Sequence, residues 1–149
     1  MLLVIEDYIV IPKSRPRFSK KTGKVYSPSY RKEVSLAWLL KQAALNLEDG
    51  YKQFGKHEEL FVAIVFRSSC YRRADIDNLT KLVYDALEKS CIIENDKQIR
   101  REYHDIVDTS ENDVLFVLIQ PKGDLNFNEI AELMFLVKGF VPSSGLKSW

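Results

Sequence analysis

The chain has 149 residues, of which 46% are hydrophobic and 29% are charged, and its formal net charge is +1. This length and composition fit one globular domain with a substantial core. No apolar run approaches the roughly 18–20 residues of a membrane-spanning helix, so we expect no membrane segment. The N-terminal segment contains Glu6 and Asp7 and no basic residue, which argues against a signal peptide and predicts a cytoplasmic protein. Cys70 and Cys91 match no metal-binding or redox spacing, and we expect reduced thiols.

Basic residues are concentrated in one segment. Residues 13–32 hold eight lysines or arginines and no acidic residue, whereas the rest of the chain has 14 basic and 21 acidic residues. Several prolines and a glycine disfavour a long helix here and predict an extended loop or ribbon. Phe18, Tyr26 and Tyr30 alternate with the cations, a combination suited to phosphate contacts and stacking on unpaired bases. The segment therefore predicts a nucleic-acid-binding arm, with a solvated basic loop as the alternative.

Four segments have the composition of β-strands, and two of them are apolar on both faces, as buried strands are. These strands are predicted over residues 2–11, 60–67, 98–107 and 114–120, the second and fourth being the buried ones.

Three helices are predicted from apolar spacing and from flanking turn residues. They cover residues 31–47, 77–89 and 126–139. The apolar face of the first helix is predicted to contain Val34, Ala37, Trp38, Ala44 and Leu45. We expect an α/β (α+β) fold, a single domain in which a mixed sheet of about four strands packs with two to three helices. Residues 1–124 would form its main part, and residues 125–149 would add a C-terminal helix and tail.

The stretch from Cys70 to Arg101 carries the residues with the clearest chemistry. Asp75 lies where it can cap the second helix, and Asp77 and Lys81 are one helical turn apart on its polar face. Mg²⁺ prefers hard oxygen ligands such as carboxylates, and an ammonium group can neutralise a phosphate. Asp96 follows the helix, so it becomes a third ligand only if the chain returns beside the start of that helix.

A structural interpretation of the same residues is also available. Asp77 and Lys81 have the spacing of an exposed surface ion pair, which contributes only about 0.3–0.5 kcal/mol. Asp75 can be a helix cap without any catalytic role. Taken alone, the D-x-D-N pattern therefore does not decide between structure and catalysis.

Two separate blocks of the sequence carry a recognisable pattern. One block reads R-x-D-I-D-N-L-x-K-x-x-x-D-A-L followed by I-I-E-N-D-x-x-I, and the other reads P-K-S-R-P-R-F with G-K-V-Y-S-P. Together they resemble the signature of the RusA family of Holliday junction resolvases. The resemblance covers roughly residues 10–120. It implies a small α/β homodimer, cytoplasmic in a bacterium or encoded by a phage, that nicks four-way DNA junctions with Mg²⁺ or, as a substitute, Mn²⁺.

The resemblance also implies roles for individual residues. Asp75, Asp77 and Asp96 match the metal-binding carboxylates of the family, and Lys81 matches its catalytic lysine. The expected DNA-binding residues are cations of the basic segment and of the loop before Asp75. They are Lys13, Arg15, Arg17, Lys20, Lys21, Lys24, Arg72 and Arg73.

Four other functions compete with a nuclease. A non-catalytic branched-DNA-binding protein would share the basic segment but would not cleave. A D-x-D sugar-nucleotide transferase usually has a longer chain, and a haloacid-dehalogenase-type phosphatase places its first aspartate directly after a buried strand, whereas residues 70–74 intervene here. An adaptor protein would use the apolar C-terminal helix to bind a partner.

Overall fold

A mixed four-stranded β-sheet lies at the centre of the computed structural model, with helices on both of its faces. The structure describes residues 1–12, 17–26, 30–51, 53–71, 74–109, 113–124 and 127–137. Within these ranges, none of the helices has both the length and the apolar character needed to cross a membrane. The expected α+β arrangement of one mixed sheet and three helices is confirmed.

The strands and helices follow the predicted order, with one additional pair of short strands. The strands are β1 (Leu2–Glu6), β2 (Arg17–Ser19), β3 (Lys24–Tyr26), β4 (Leu60–Arg67), β5 (Ile99–Val107) and β6 (Val114–Pro121). The helices are α1 (Tyr30–Leu45), α2 (Ile76–Lys89) and α3 (Phe127–Val137).

The order of strands in the sheet is β1-β6-β4-β5. β6 is antiparallel to both β1 and β4, whereas β4 and β5 are parallel. A parallel pair needs a crossover connection, and α2 provides it. The start of α2 therefore follows the carboxyl end of β4, and its end leads back to the beginning of β5. This connection decides where the acidic residues of the central stretch lie.

Each face of the sheet has its own apolar cluster. Alternate residues of β4, including Val62 and Ile64, pack with α1 and α2, while Ala63 and Val65 pack with α3 on the other face. Every residue of β4 except Arg67 is buried. This two-sided burial explains why the strand has no polar alternation in its sequence, and the prediction of a central strand here is confirmed.

The predicted apolar face of α1 was partly wrong. Ala37 and Ala44 are buried, but Val34, Trp38 and Leu45 are exposed, Trp38 to 62%. The buried face instead contains Glu33, Leu36, Ala37, Leu40 and Ala44. Glu33 is accommodated there because its carboxylate forms a 2.8 Å ion pair with Lys89 of α2.

The predicted end of the first strand was wrong. β1 ends at Glu6, well before residue 11, because Asp7 turns the chain with a φ of 53°. The described part of α3 spans Phe127–Val137, and positions 126, 138 and 139 of the predicted helix lie outside the described residues. The described part of α3 packs on the sheet through Leu133 and Val137.

The buried side chain of Gln98 fixes the turn that precedes β5. Its amide oxygen accepts the backbone N–H groups of Glu94 and Asn95, at 2.7 and 3.3 Å. Its amide nitrogen donates to the carbonyl oxygens of Gly55 and Glu58, at 2.7 and 3.3 Å. A single side chain therefore ties the turn containing Asp96 to the segment that enters β4.

We expect Gln98→Ala to lower the free energy of unfolding by roughly 2–3 kcal/mol, because it removes a buried side chain that forms four partly buried hydrogen bonds to the backbone. Guanidinium unfolding monitored by circular dichroism measures this change. Gln53 is exposed, so Gln53→Ala is the control, with an expected change below about 0.5 kcal/mol. Equal losses in the two variants would contradict a specific role of Gln98.

Candidate active site

Asp75 caps the amino end of α2, as predicted. Its backbone is extended, with φ −80° and ψ 112°. One carboxylate oxygen, Oδ1, accepts the backbone N–H of Asp77 at 3.1 Å, and Oδ2 accepts the side-chain amide of Asn78 at 2.8 Å. Such a cap satisfies backbone donors that have no partner inside the helix, so Asp75 determines the residue at which α2 begins.

Asp77 and Lys81 are exposed on the first turns of α2. Among the described residues, neither the carboxylate of Asp77 nor the ammonium of Lys81 forms a hydrogen bond or a salt bridge. The surface ion pair that their spacing allows is therefore not formed between them. Both charges remain accessible to a ligand at the end of the helix where free N–H groups create positive potential.

Asp96 lies towards the other end of α2. Its backbone N–H donates to Oε1 of Glu88, at 2.6 Å, and Glu88 belongs to the last turns of the helix. Because α2 has 14 residues, roughly 20 Å of helix separates its two ends. The structure therefore brings Asp75 and Asp77 together but does not place Asp96 beside them. Within the described ranges, no group of three or more His, Cys, Asp and Glu side chains is arranged to hold a metal ion.

The chemistry of the donors nevertheless suits magnesium. Asp75 and Asp77 offer exposed carboxylate oxygens two residues apart at the start of a helix. Mg²⁺ is usually bound through one or two carboxylates, with substrate phosphates and water completing its coordination. The Asp75–Asp77 pair fits that kind of site without needing a third protein ligand.

A polar cluster between α2 and β5 was not anticipated from the sequence. The hydroxyl of Tyr84 lies 2.7 Å from Oε2 of Glu102 and 2.8 Å from Nε2 of His104. Both contacts are hydrogen bonds if the Tyr84 hydroxyl donates its proton to Glu102 and its oxygen accepts the Nε2–H of His104. Part of this cluster could have been found from the sequence. Tyr84 is seven residues after Asp77 and so lies on the same face of the helix, and Glu102 and His104 are two residues apart and so lie on the same face of the strand.

The cluster links the polar face of α2 to the edge strand. Burial raises the pKa of Tyr84 well above its usual value, and Glu102 and Asp96 add to that increase. Burial also lowers the pKa of His104, against the opposing influence of Glu102 and Asp77. The negative charge of Asp96 raises the pKa of Tyr84, and that of Asp77 raises the pKa of His104. The cluster therefore lies between the acidic residues at the two ends of the helix.

The lowered pKa of His104 predicts that the folded protein loses stability as the pH falls below about 6.5, the usual histidine value. Below that pH the unfolded chain takes up a proton more readily than the folded chain, so protonation favours unfolding. We expect His104→Gln, which keeps a donor for Tyr84, to reduce the decrease in unfolding free energy between pH 7.5 and pH 5.5. Urea unfolding at the two pH values measures this difference.

His57 provides the control because it is exposed. His57→Gln should keep the pH dependence of the wild-type protein. A His104→Gln variant with the full wild-type pH dependence would show that other groups are responsible.

Residues 17–26 of the basic segment form an exposed two-stranded ribbon, in which β2 pairs with β3 in antiparallel register. Arg17, Lys20, Lys21 and Lys24 are all exposed on it. The other expected DNA-binding residues lie outside the described ranges, namely Lys13, Arg15, Arg72 and Arg73.

Comparison with known protein families gives one match. The family model described as Endodeoxyribonuclease RusA matches residues 7–117 of the 149 residues. The match contains the ribbon, α1, α2, β4, β5 and all four candidate residues of the central stretch, and it confirms the resemblance seen in the motifs. A search of curated proteins found no match.

Proposed function

Because the chain belongs to the RusA endodeoxyribonuclease family, we propose that it is a Mg²⁺-dependent, structure-selective endonuclease. Its substrate would be branched DNA, above all the four-way Holliday junction, which it would resolve by paired phosphodiester hydrolysis. We place this activity in DNA recombination and repair in the cytoplasm of a bacterium, with the gene carried by the host or by a phage.

The observation that carries the proposal is the exposed group of Asp75, Asp77 and Lys81 at the start of α2. These residues occupy the matched part of the chain. Their carboxylate oxygens and ammonium group are chemically suited to a divalent cation and a phosphate respectively. Helix α2 presents them to solvent while its opposite face is buried against the sheet.

In this proposal each residue has its own task. Asp75 and Asp77 would hold the cation, and Asp75 would also keep the helix start in place through its bonds to Asp77 and Asn78. A bound Mg²⁺ would help to generate hydroxide from water and to neutralise charge on the scissile phosphate. Lys81 would stabilise the negative charge that develops as water attacks phosphorus and the P–O bond to the leaving sugar oxygen breaks. Asp96 has no task in this proposal, because it lies beside Glu88 near the opposite end of α2.

The ribbon would provide much of the affinity for DNA. Four exposed cations lie between residues 17 and 26, and no acidic residue accompanies them. Contacts from lysine and arginine to phosphates supply sequence-independent affinity that decreases as salt increases. We assign the same role to Lys13, Arg15, Arg72 and Arg73 on the basis of the sequence.

The central test of the proposed function is Asp77→Asn, which removes a charge while nearly preserving side-chain volume. We expect junction nicking to fall at least about a hundred-fold, while binding to the same junction is largely retained. Nicking of a synthetic four-way junction and of a linear duplex of the same sequence, with and without Mg²⁺, measures the activity.

Asp49→Asn is the matched control, because Asp49 is exposed and follows α1 at a distance in sequence from the central stretch. It should nick as the wild-type protein does. Normal nicking by Asp77→Asn would refute the assignment of the site. Junction binding without nicking by the wild-type protein, under any divalent metal, would favour the non-catalytic branched-DNA-binding protein.

We further propose that the active form is a homodimer, because paired nicks across a junction need two active sites. Light scattering of the protein with junction DNA in EDTA should give two protomers of 17.3 kDa per junction. A single protomer per junction would contradict this arrangement. We interpret residues 125–149 as an extension of the same domain, supported by the packing of Leu133 and Val137 on the sheet.

A further inference from the structure

The two faces of the ribbon differ sharply in chemistry. Phe18 and Val25 are direct cross-strand partners, so their side chains share one face. The other face carries Arg17 with Tyr26 and Ser19 with Lys24. The sequence alone suggested that aromatic and basic residues were simply mixed here. The pairing register instead places Phe18 and Val25 together on an apolar face and leaves Tyr26 on the cationic face with Arg17 and Lys24.

The apolar face is unusually open to solvent. Phe18 is 63% exposed and Val25 is 70% exposed. The ribbon forms its own two-stranded sheet and does not join the central one, and isolated two-stranded sheets are only marginally stable. A cross-strand aromatic and β-branched pair helps to hold such a ribbon together. Holding the ribbon together would not require the side chains of Phe18 and Val25 to stay mostly exposed to solvent.

The charge of the ribbon indicates which partner covers this face. All of its charged residues between positions 17 and 26 are cations, so a polyanion is favoured. Within an intact duplex the apolar faces of the bases are stacked on each other. At a branch point the stacking is interrupted, and an apolar side chain can insert against the exposed base, as apolar wedges do in proteins that bend DNA.

We propose that the Phe18–Val25 pair recognises the branch, by packing against unstacked bases while the cationic face of the ribbon contacts phosphates. This inference rests on the proposed function and specifies how the nuclease would distinguish a junction from a linear duplex. It assigns selectivity to the apolar pair and general DNA affinity to Arg17, Lys20, Lys21 and Lys24.

The test uses the full-length protein and a four-way junction with 2-aminopurine next to the branch point, in EDTA so that no cleavage occurs. Binding of the wild-type protein should raise the fluorescence, because the probe becomes unstacked. Phe18→Ala should abolish most of that rise and reduce the preference for junction over duplex by roughly ten-fold. Affinity for the linear duplex should change by less than about two-fold, since its cationic contacts remain.

Two further variants separate recognition from folding of the ribbon. Phe18→Trp keeps a large aromatic surface and should preserve both the fluorescence rise and the junction preference. Trp38→Ala removes an aromatic residue of similar exposure from α1 and should leave both unchanged.

Several outcomes would overturn the inference. A Phe18→Ala protein with wild-type fluorescence rise and junction preference would exclude recognition by this pair. Equal loss of junction and duplex affinity would show that Phe18 only maintains the ribbon. Neither result depends on cleavage, so failure of the wild-type protein to nick would refute the proposed function without affecting this test.

Discussion

The carboxylate of Asp75 fixes the geometry of the candidate site, because it determines where α2 begins. Its bonds to the N–H of Asp77 and the amide of Asn78 close the amino end of the helix. Once the first residue is fixed, the 3.6-residue period decides the direction of every later side chain. Asp77 and Lys81 then face solvent, while Leu79, Leu82 and Val83 face the core. A shift of the helix start by one residue would turn the charged face by about 100°.

Capping and cation binding are compatible on this one side chain. An ionised carboxylate has about four lone-pair positions on its two oxygens. The two hydrogen bonds made by Asp75 use one position on each oxygen, so one remains on each. Because the same bonds limit rotation of the carboxylate, a ligand position at Asp75 is already oriented before a cation or a phosphate arrives. Asp77 has no such restraint among the described residues, so its side chain is free to adjust to the ligand.

Local signals in the sequence were sufficient to predict the helix cap, the buried strands and the exposed start of α2. Each of these depends on neighbouring residues, such as the capping spacing at Asp75 or the continuous apolar run of β4. The face of α1 was harder to predict, because leucines and alanines surround the helix and the buried Glu33 is paired with the partly exposed Lys89. The pairing of Glu33 with a residue 56 positions later leaves no local pattern.

Contacts between elements that are distant in the sequence could not be predicted from the sequence alone. The contact of Tyr84 with Glu102 and His104 depends on how α2 crosses from β4 to β5 and on which residues of the parallel strands are paired. The same crossover places Asp96 at the far end of the helix from Asp75. In the sequence, by contrast, three aspartates and a lysine within 22 residues look like one compact ligand set. Parallel topology separates Asp96 from the other three residues, because a crossover helix necessarily runs back along the sheet.

The charge distribution supports the proposal that the ribbon provides most of the DNA affinity while the start of α2 carries the chemistry. The group around α2 is mainly acidic, and its carboxylates repel a phosphodiester until their charge is neutralised. Lys81 opposes that repulsion at the start of the helix, but one ammonium does not offset Asp75, Asp77 and the acidic groups beyond them. In the proposed function, the basic ribbon, with four cations and no acid between residues 17 and 26, would supply the compensating attraction. A cation between carboxylates and phosphate would then reverse the local repulsion, so the proposed metal dependence agrees with the charge distribution of the chain.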